Sequence, residues 1–506
     1  MTGFPEFDRY DGLGMAELVR RRQVSPVELV EESIRRIEAR NPALNAVIHP
    51  MFESARRAAA GPLPDGPFAG VPFVIKDLIA LIAGEPQRNG CRYFEGWVPD
   101  HDAEIVKRYR RAGFLFVGKT NTPEFGITPF TEPRFTGITR NPWNPDRTAG
   151  GSSGGTGSAV AAGMVPLGHG NDGGGSIRIP ASANGLFGFK PSRGRTPVGP
   201  DYGEFWQGFA CDHVLSRSVR DSAATLDATA GADPGAPYVA PPPVRPFLDE
   251  VTTEPGRLRI GFTAEPWLGT TVHGDCVAAL ERTVGLLRHL GHEVIEVQAP
   301  LDGIRFARAF MMMICGEVAA DLAMSERLVG RPLRRDQFEV ETWGLALMGR
   351  TLSAGEFAGA VRYLKSEARR IAAWQEQYDL LLTPTLSCPP PLHGTFRLPR
   401  RELLGLQVLG AIGAGGVLKA SGMIAQAAST AFSFIPWTPV SNATGQPAMS
   451  VPLEWNAEGL PVGMHFIGRY ADEATLFRLA GQLERAQPWF DRRPTLVDGR
   501  GREGAG

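Results

Sequence analysis

The stretch that decides the fold of this chain reads Gly150-Gly151-Ser152-Ser153-Gly154-Gly155 and, after an apolar run, Gly173-Gly174-Gly175-Ser176-Ile177-Arg178-Ile179-Pro180. Each block sets a serine among glycines, where backbone N–H groups can crowd around a reacting oxygen. The run Ala159–Leu167 between the blocks is apolar enough to predict a buried helix. A flexible glycine–serine linker would lack such a run. The stretch therefore indicates a structured site that holds two serines, Ser152 and Ser176.

A lysine lies upstream, at the end of the apolar, strand-like run Val71-Pro72-Phe73-Val74-Ile75-Lys76-Asp77. A serine hydroxyl is a weak nucleophile until a neighbouring base takes its proton. Lysine can be that base only when burial lowers its pKa from about 10.4, and the apolar residues before Lys76 favour burial. We therefore predict Ser176 as the nucleophile and Lys76 as the base. Ser152 would relay the proton and later hand it to the leaving amine.

The glycines before Ser176 leave room for backbone donors to point at one spot. Such an oxyanion hole contributes roughly 3 kcal/mol per donor. The predicted donors are the N–H groups of Gly173, Gly174, Gly175 and Ser176. Three further residues are expected to support the site: Asp172 and Arg178 as a scaffold, and Ser153 through a hydrogen bond within its own turn.

Two other functional interpretations of the same segment are weaker. Gly168–Gly173 matches G-x-G-x-x-G, but Pro180 interrupts the expected helix and no acidic residue follows before Pro200, so a dinucleotide site is not predicted. His169 could form a Ser-His-Asp triad with Asp172, but the G-x-S-x-G elbow is missing. His169 is therefore interpreted as structural.

Composition limits the function classes further. The 506 residues include 53 basic and 54 acidic side chains, so no electrostatic footprint for nucleic acid or an anionic membrane is expected. The amino terminus carries no secretory pattern, and no stretch reaches the roughly 18 apolar residues of a membrane span. The chain has five scattered cysteines, Cys91, Cys211, Cys276, Cys315 and Cys388, and no C-x-x-C pair. This pattern predicts neither disulfides nor a zinc site and favours a cytoplasmic location. No cofactor and no metal are expected.

Helical and strand-like segments alternate along the chain. A capping-box pattern opens a helix at Ser25 that should run to about Ala39. Further helices are predicted at 102–112, 276–290 and 473–484, and strands at 113–118, 258–262, 293–297, 379–382, 448–453 and 462–467. This alternation predicts an α/β protein with a mixed, largely parallel β-sheet covered by helices on both faces.

The motifs together resemble the amidase signature family. The resemblance rests on Lys76-Asp77, the two serine blocks and the supporting phrases Gly118–Phe125 and Gly188–Pro191. It implies an amide hydrolase with the α/β fold described above and a Ser-Ser-Lys triad. In the family a cis peptide bond precedes the middle serine, here Ser152. The chain departs from the commoner Thr-Asp-Thr of the family at 171–173, where it has Asn-Asp-Gly.

The resemblance also gives an expectation for the organisation of the chain. We expect one domain over residues 1–506, with a catalytic core at about 60–200 and a variable substrate-pocket region at about 300–440. The sequence leaves the oligomeric state open, a homodimer included.

Three phrases, Gly66–Pro72, Thr139–Asn144 and Gly168–Asp172, are similar to those of a subgroup that hydrolyses cyclic amides of nylon oligomers, the 6-aminohexanoate cyclic dimer hydrolases. Cys315 aligns with a pocket cysteine of that subgroup and is expected in the acyl-binding wall, although a lone cysteine is ordinarily a small buried hydrophobe. Aryl acylamides, short aliphatic amides, carbamates and a glutamine-hydrolysing amidotransferase subunit remain open as alternatives.

The segment Leu403–Phe434, with Lys419 as its sole charge, is expected to be a buried helical pair rather than a mobile flap, and to border the same pocket.

Overall fold

The computed structural model describes residues 4–269 and 271–494. Residues 1–3 of the amino terminus, on which the expectation of no secretory pattern partly rests, lie outside this range. The strands are β1 (Val47–Pro50), β2 (Pro72–Lys76), β3 (Leu115–Thr120), β4 (Arg140–Asn141), β5 (Asn144–Thr148), β6 (Leu167–Asp172), β7 (Phe187–Lys190), β8 (Cys211–Ser216), β9 (Arg259–Phe262), β10 (Glu293–Glu296), β11 (Leu380–Pro384), β12 (Ala448–Trp455) and β13 (Pro461–Gly468).

The helices surround these strands. They are α1 (Gly12–Arg20), α2 (Pro26–Leu44), α3 (Phe52–Ala60), α4 (Glu104–Arg111), α5 (Gly154–Ala161), α6 (Arg178–Asn184), α7 (Val219–Thr229), α8 (Phe247–Val251), α9 (Gly274–His289), α10 (Gly303–Val329), α11 (Val340–Arg350), α12 (Ala354–Gln375), α13 (Arg400–Ala411), α14 (Gly415–Ala420), α15 (Met423–Phe434), α16 (Thr438–Thr444) and α17 (Glu473–Ala486). Among the described residues, none of these helices has the length and apolar character that crossing a membrane requires.

Eleven strands form one sheet in the order β1-β3-β2-β6-β8-β7-β12-β13-β11-β9-β10, and β4 pairs with β5 apart from it. Parallel pairs join β3 to β2, β2 to β6, β11 to β9 and β9 to β10. The other neighbours in the large sheet are antiparallel. The mixed α/β architecture is therefore confirmed, although antiparallel pairs outnumber parallel ones because the middle of the sheet runs in alternating directions.

The side chains of β2 show how both faces of the sheet are covered. Phe73 and Ile75 lie in one hydrophobic cluster, and Val74 between them lies in another. Successive residues of a strand point to opposite faces, so two apolar layers enclose this strand. The same alternation separates Leu381 of β11 from its neighbours Leu380 and Leu382. Helices on both faces of the sheet are thus confirmed.

The capping box at Ser25 is confirmed, but helix α2 extends five residues beyond the predicted end. The Ser25 hydroxyl accepts from the Glu28 N–H at 3.2 Å, and the Glu28 carboxylate accepts from the Ser25 N–H at 2.8 Å. The helix ends where Asn45 adopts a left-handed conformation with φ of 51°, a conformation that asparagine tolerates better than most residues. The side chain of Asn41 accepts from the N–H groups that follow, at 46 and 47.

The prediction of a helix over Ala159–Leu167 is wrong in its bounds. Helix α5 begins in the glycine block at Gly154 and ends at Ala161, and residue 167 already opens strand β6. Glycine is needed early in α5 because a Cβ atom at Gly155 would lie 2.4 Å from the Asn121 backbone nitrogen. The chain then turns at Gly163, where φ is +64°.

The prediction of a buried helical pair at 403–434 is also wrong. The segment forms parts of three helices, of which α13 and α14 pack on α11 and α15 packs on α10. Their outer face is open to solvent, with Leu404 62% and Ile412 71% exposed, whereas Leu406 and Phe432 on the inner face are buried. A single layer of helices over a cavity can bury one face only, which explains the difference.

Candidate active site

The parallel strands β2 and β6 bring the first two polar groups of the site together. They pair through Val74 and Gly168, and they end at Lys76 and Asp172. The carboxyl ends of parallel strands meet at one edge of a sheet, where ligand sites commonly form. Lys76 therefore lies beside Asn171, the next-to-last residue of β6.

The Lys76 ammonium nitrogen lies 2.6 Å from the Ser152 hydroxyl oxygen and 2.5 Å from Asn171 Oδ1. The side chain is fully buried. Burial lowers the pKa of Lys76 to about 7, although the Asp212 and Asp172 carboxylates oppose this shift. A large fraction of Lys76 is consequently neutral near pH 7 and able to accept a proton.

Asn171 fixes how Lys76 can bind. Its Nδ2 group donates to the Leu78 carbonyl at 3.2 Å, which turns Oδ1 toward the lysine. A carbonyl oxygen can only accept, so Lys76 must donate one N–H to it, and the lone pair of the neutral amine is left for the Ser152 hydroxyl. Sequence reasoning did not identify Asn171. The available signal was its place at the end of the strand that pairs with the strand of Lys76.

Ser152 is held in a tight turn. The peptide bond between Gly151 and Ser152 is cis, and the Thr131 hydroxyl donates to the Gly150 carbonyl at 2.9 Å. A Cβ atom at Gly151 would lie 2.7 Å from the Phe130 backbone nitrogen, so only glycine fits there. The Ser152 side chain is almost completely buried, and its hydroxyl contacts Lys76 at one end of the site.

Ser176 lies in the turn between β6 and α6. The Ser153 N–H donates to the Ser176 carbonyl at 3.2 Å, which ties the two serine blocks together, and the Ser153 hydroxyl donates to the Asn171 carbonyl at 3.2 Å. The Ser153 hydroxyl was expected to form a hydrogen bond within its own turn, and it instead binds a residue of strand β6. In the described part of the chain no side chain or backbone group is hydrogen-bonded to the Ser176 hydroxyl, which faces open space.

The backbone donors near Ser176 are not equivalent, and this corrects the prediction for Gly175. The Gly175 N–H donates to Asp172 Oδ1 at 2.7 Å, because the carboxylate lies under the turn and collects its inward-pointing N–H groups. Among the residues that the structure describes, the N–H groups of Gly173, Gly174 and Ser176 have no acceptor. These three donors are the ones available to a substrate oxygen.

Asp172 and Arg178 have the contacts of a buried scaffold. The Arg178 guanidinium binds both carboxylate oxygens of Asp172 at 2.9 Å, and it also contacts Ser441 and His465. Burial alone would raise the pKa of Asp172, but the charge and hydrogen bonds of Arg178, with a hydrogen bond from Asn442, hold it well below its usual range. The turn that carries Ser176 is therefore anchored on a permanent ion pair.

His169 does not contact Asp172. Its Nε2 lies 2.9 Å from Asp212 Oδ1, and its side chain is fully buried. The G-x-G-x-x-G match around it lies largely within strand β6 and does not open a helix. Within the described ranges, no three His, Cys, Asp or Glu side chains converge as metal ligands would.

Two cavities meet at Ser176. Cavity A, about 790 Å³, is lined by Ser176 and by Ser152, Asn171, Phe94, Trp97, Trp206 and Asp321 among others. Cavity B, about 1270 Å³, is lined by Ser176 and mostly by apolar side chains, among them Phe310, Met311, Ile314, Leu406 and Phe432. The segment 403–434 thus borders a cavity at Ser176, as expected.

Cys315 is not where the family alignment places it. The residue is fully buried in helix α10 and does not line either cavity. The neighbouring residues Met311 and Ile314 line cavity B. The helical rotation of about 100° per residue carries Cys315 away from Ile314, so it packs in the apolar core instead.

The chain is similar to known proteins over nearly its whole length. The family model described as Amidase matches residues 28–477. The chain is 38% identical over 496 residues to 6-aminohexanoate-cyclic-dimer hydrolase of Paenarthrobacter ureafaciens, which covers 96% of this chain and 97% of the relative. A solved structure of 6-aminohexanoate cyclic dimer hydrolase complexed with substrate matches with a TM-score of 0.87 and 36% identity, covering 97% and 99% of the two chains. A bacterial aryl acylamidase matches with a TM-score of 0.83 and 28% identity, again over 97% and 99%.

Proposed function

The chain belongs to the amidase family and is an amide hydrolase, and on that premise we propose that it cleaves a carboxylic amide through an acyl-enzyme on Ser176. Ser152 relays protons and Lys76 is the base. The observation that carries the proposal is the fully buried Lys76, whose nitrogen lies 2.6 Å from the Ser152 hydroxyl and whose pKa is about 7.

The first half of the reaction forms the acyl-enzyme. The Ser176 oxygen attacks the amide carbon while its proton moves to Ser152, which passes its own proton to neutral Lys76. The N–H groups of Gly173, Gly174 and Ser176 stabilise the oxyanion. The tetrahedral intermediate then collapses: the C–N bond breaks, the leaving nitrogen takes a proton from Ser152, and Ser152 is reprotonated by Lys76.

The second half releases the acid. A water molecule gives a proton to Ser152, which again passes one to Lys76, and the water oxygen attacks the acyl carbon. Collapse of this intermediate breaks the ester bond and returns a proton to the Ser176 oxygen. Lys76 ends neutral, so a single relay serves both halves.

For the substrate we propose cyclic or linear amide oligomers, with 6-aminohexanoate cyclic dimer as the first compound to test. The similarity to hydrolases named for that compound supports this choice. The apolar walls of cavity B also suit methylene chains. Helices α10, α11, α13 and α15 contribute to those walls, which supports a variable substrate region at about 300–440, and Lys76, Ser152 and Ser176 all lie within the proposed core at about 60–200.

The test is amine release by the purified chain alone from the cyclic dimer, the linear dimer, an acyl anilide and glutamine. We expect turnover of at least one non-glutamine amide and an acylated Ser176 peptide by mass spectrometry after acid quench. Ser176→Ala should lose both, whereas Ser54→Ala, a matched change in helix α3, should lose neither. No turnover of any amide by the purified chain alone would favour an amidotransferase subunit that hydrolyses glutamine only inside a complex, and a Ser176→Ala protein with unchanged activity would refute the nucleophile.

A further inference from the structure

The two cavities at Ser176 can be assigned to the two halves of an amide, and this step rests on the proposed function. The hydroxyl that protonates the leaving nitrogen must lie beside that nitrogen. Ser152 lines cavity A and does not line cavity B, whereas Gly174 lines cavity B. The amine half of a bound amide therefore occupies cavity A, and the acyl half occupies cavity B.

Cavity A contains a carboxyl group that the mechanism does not use. Asp321, on helix α10, lines this cavity together with aromatic side chains. No lysine or arginine lines it, and in the described part of the chain Asp321 makes no ion pair. The other acidic residue of the lining, Asp201, differs because it lies 2.9 Å from His101 Nε2.

The surroundings of Asp321 are anionic. Burial raises the pKa of Asp321 to about 7, the Glu317 carboxylate one turn earlier adds to this, and a side-chain hydrogen bond with Trp206 opposes it. Glu317 accepts a hydrogen bond from the Gln207 amide at 2.8 Å and has no other side-chain partner within residues 4–269 and 271–494. A cation that enters the cavity stabilises the charged form of this carboxyl group, because it offsets both the loss of hydration of Asp321 and the repulsion from Glu317.

Trp206 links Asp321 to the reaction centre. Its ring lies against the turn before Ser176, since a Cβ atom at Gly173 would lie 2.9 Å from it. Trp206 also lines both cavities. Along helix α10, Asp321 follows Ile314 of cavity B by seven residues, or about 10 Å of axial rise. A group bound by Asp321 in cavity A therefore lies about one and a half to two helical turns from the Ile314 wall of cavity B.

We propose that Asp321 is a specificity residue that binds a cationic group on the amine half of the substrate. The substrate class is an amide whose leaving amine carries a second, protonated amino group, as in mono-acylated α,ω-diamines. The carboxylate supplies the counter-charge, and the aromatic side chains that line the same cavity, Trp97 among them, offer cation–π attraction. A leaving amine that ends in a carboxylate, as in a linear 6-aminohexanoate oligomer, is disfavoured by the same group, so among the oligomers proposed above the cyclic ones suit cavity A better.

Three amides with one acyl chain and equal spacers test the proposal: N-hexanoyl-1,4-diaminobutane, N-hexanoylpentylamine and N-hexanoyl-5-aminopentanoate. They place an ammonium, a methyl or a carboxylate after four methylenes. For the wild-type chain we expect kcat/KM to fall in that order. In Asp321→Asn the ratio of kcat/KM for the ammonium compound to kcat/KM for the methyl compound should fall by about tenfold or more, and this ratio is insensitive to a general loss of activity.

Glu326→Gln is the matched control, because Glu326 lies on the same helix, is exposed and lines neither cavity. It should leave the order and the ratios unchanged, and Asp321→Glu should restore part of the ammonium preference. Equal losses for all three amides in Asp321→Asn, or no ammonium preference in the wild type, would overturn the proposal.

Binding to Ser176→Ala, measured by calorimetry, separates this proposal from the proposed function. If the wild type cleaves none of the three amides, the proposed hydrolysis fails for this class, while the Kd values still decide the role of Asp321. A tighter Kd for the ammonium compound that is lost in the Ser176→Ala, Asp321→Asn double variant supports the inference. Equal Kd values for the ammonium and methyl compounds refute it.

Discussion

Replacing Asn171 by aspartate should disable the base without removing it. In the native site the uncharged amide oxygen accepts from Lys76 at 2.5 Å, and the pKa of the lysine is about 7. Asn171→Asp keeps the shape of the side chain and puts a negative charge at the same place. The added charge stabilises the protonated lysine, so its pKa rises.

The size of the effect follows from the distance. Two charges 2.5 Å apart interact by several kcal/mol even at an effective dielectric constant of about 20, enough to return the pKa of Lys76 to about 10. At pH 7.5 the neutral fraction of the lysine then falls from roughly three quarters to well below one per cent. The expected loss of kcat/KM is therefore about two hundredfold at this pH.

The assay is the pH dependence of kcat/KM for a neutral amide. The wild-type rate should rise with pH through about 7, as Lys76 loses its proton, and the limb of Asn171→Asp should lie about three pH units higher. Asn144→Asp, a matched change outside both cavities, should keep the wild-type limb. A variant that loses activity by the same factor at every pH would refute the reasoning, because a merely structural defect has that signature.

Three further predictions concern the rest of the site. Lys76→Met should abolish turnover and yet raise the free energy of unfolding at pH 7 by about 2–4 kcal/mol. Because the pKa of Lys76 is lower in the folded than in the unfolded chain, the buried lysine destabilises the wild type most below pH 7, and this destabilisation disappears as pH rises toward 10.5. Chemical denaturation of both proteins at pH 7 and at pH 10.5 measures the difference. Gly175→Ala should unfold at lower temperature and lose activity, because its φ is +127° and a Cβ atom would lie 2.4 Å from the Thr438 hydroxyl. Gly174→Ala should keep the wild-type melting temperature, because among the described residues its Cβ atom would approach only Phe310, at 4.0 Å. Ile314→Trp should lower kcat/KM for a hexanoyl amide far more than for an acetyl amide, while Cys315→Ala leaves that ratio unchanged; the opposite pattern would return Cys315 to the acyl-binding wall.

Local signals predicted much of this molecule. The capping box at Ser25 located a helix start because its hydrogen bonds are made within four residues. Short apolar runs, which depend on burial alone, located six strands: β3, β9, β10, β11, β12 and β13. The contact of Lys76 with Ser152 agrees with the proton relay expected from the two motifs.

Other features depend on where distant segments meet. The Lys76–Asn171 contact arises only because β2 and β6 are neighbours in the sheet, and the engagement of the Gly175 N–H depends on how Asp172 folds beneath its turn. The open outer face of 403–434 could not be inferred from composition, since an apolar helix in a single covering layer has the same residues as one in a core. Cys315 was misplaced because alignment gives a position along helix α10 and not the direction of the side chain.

Helix α10 has a consequence for how this enzyme can be changed. One continuous helix supplies Phe310, Met311 and Ile314 to cavity B and Asp321 to cavity A. Ile314 and Asp321 lie about 10 Å apart along this helix, and substitutions at such a distance usually combine additively. Substitutions found separately for cavity B and for cavity A can therefore be joined in one chain, and the two ends of the helix can be altered one at a time.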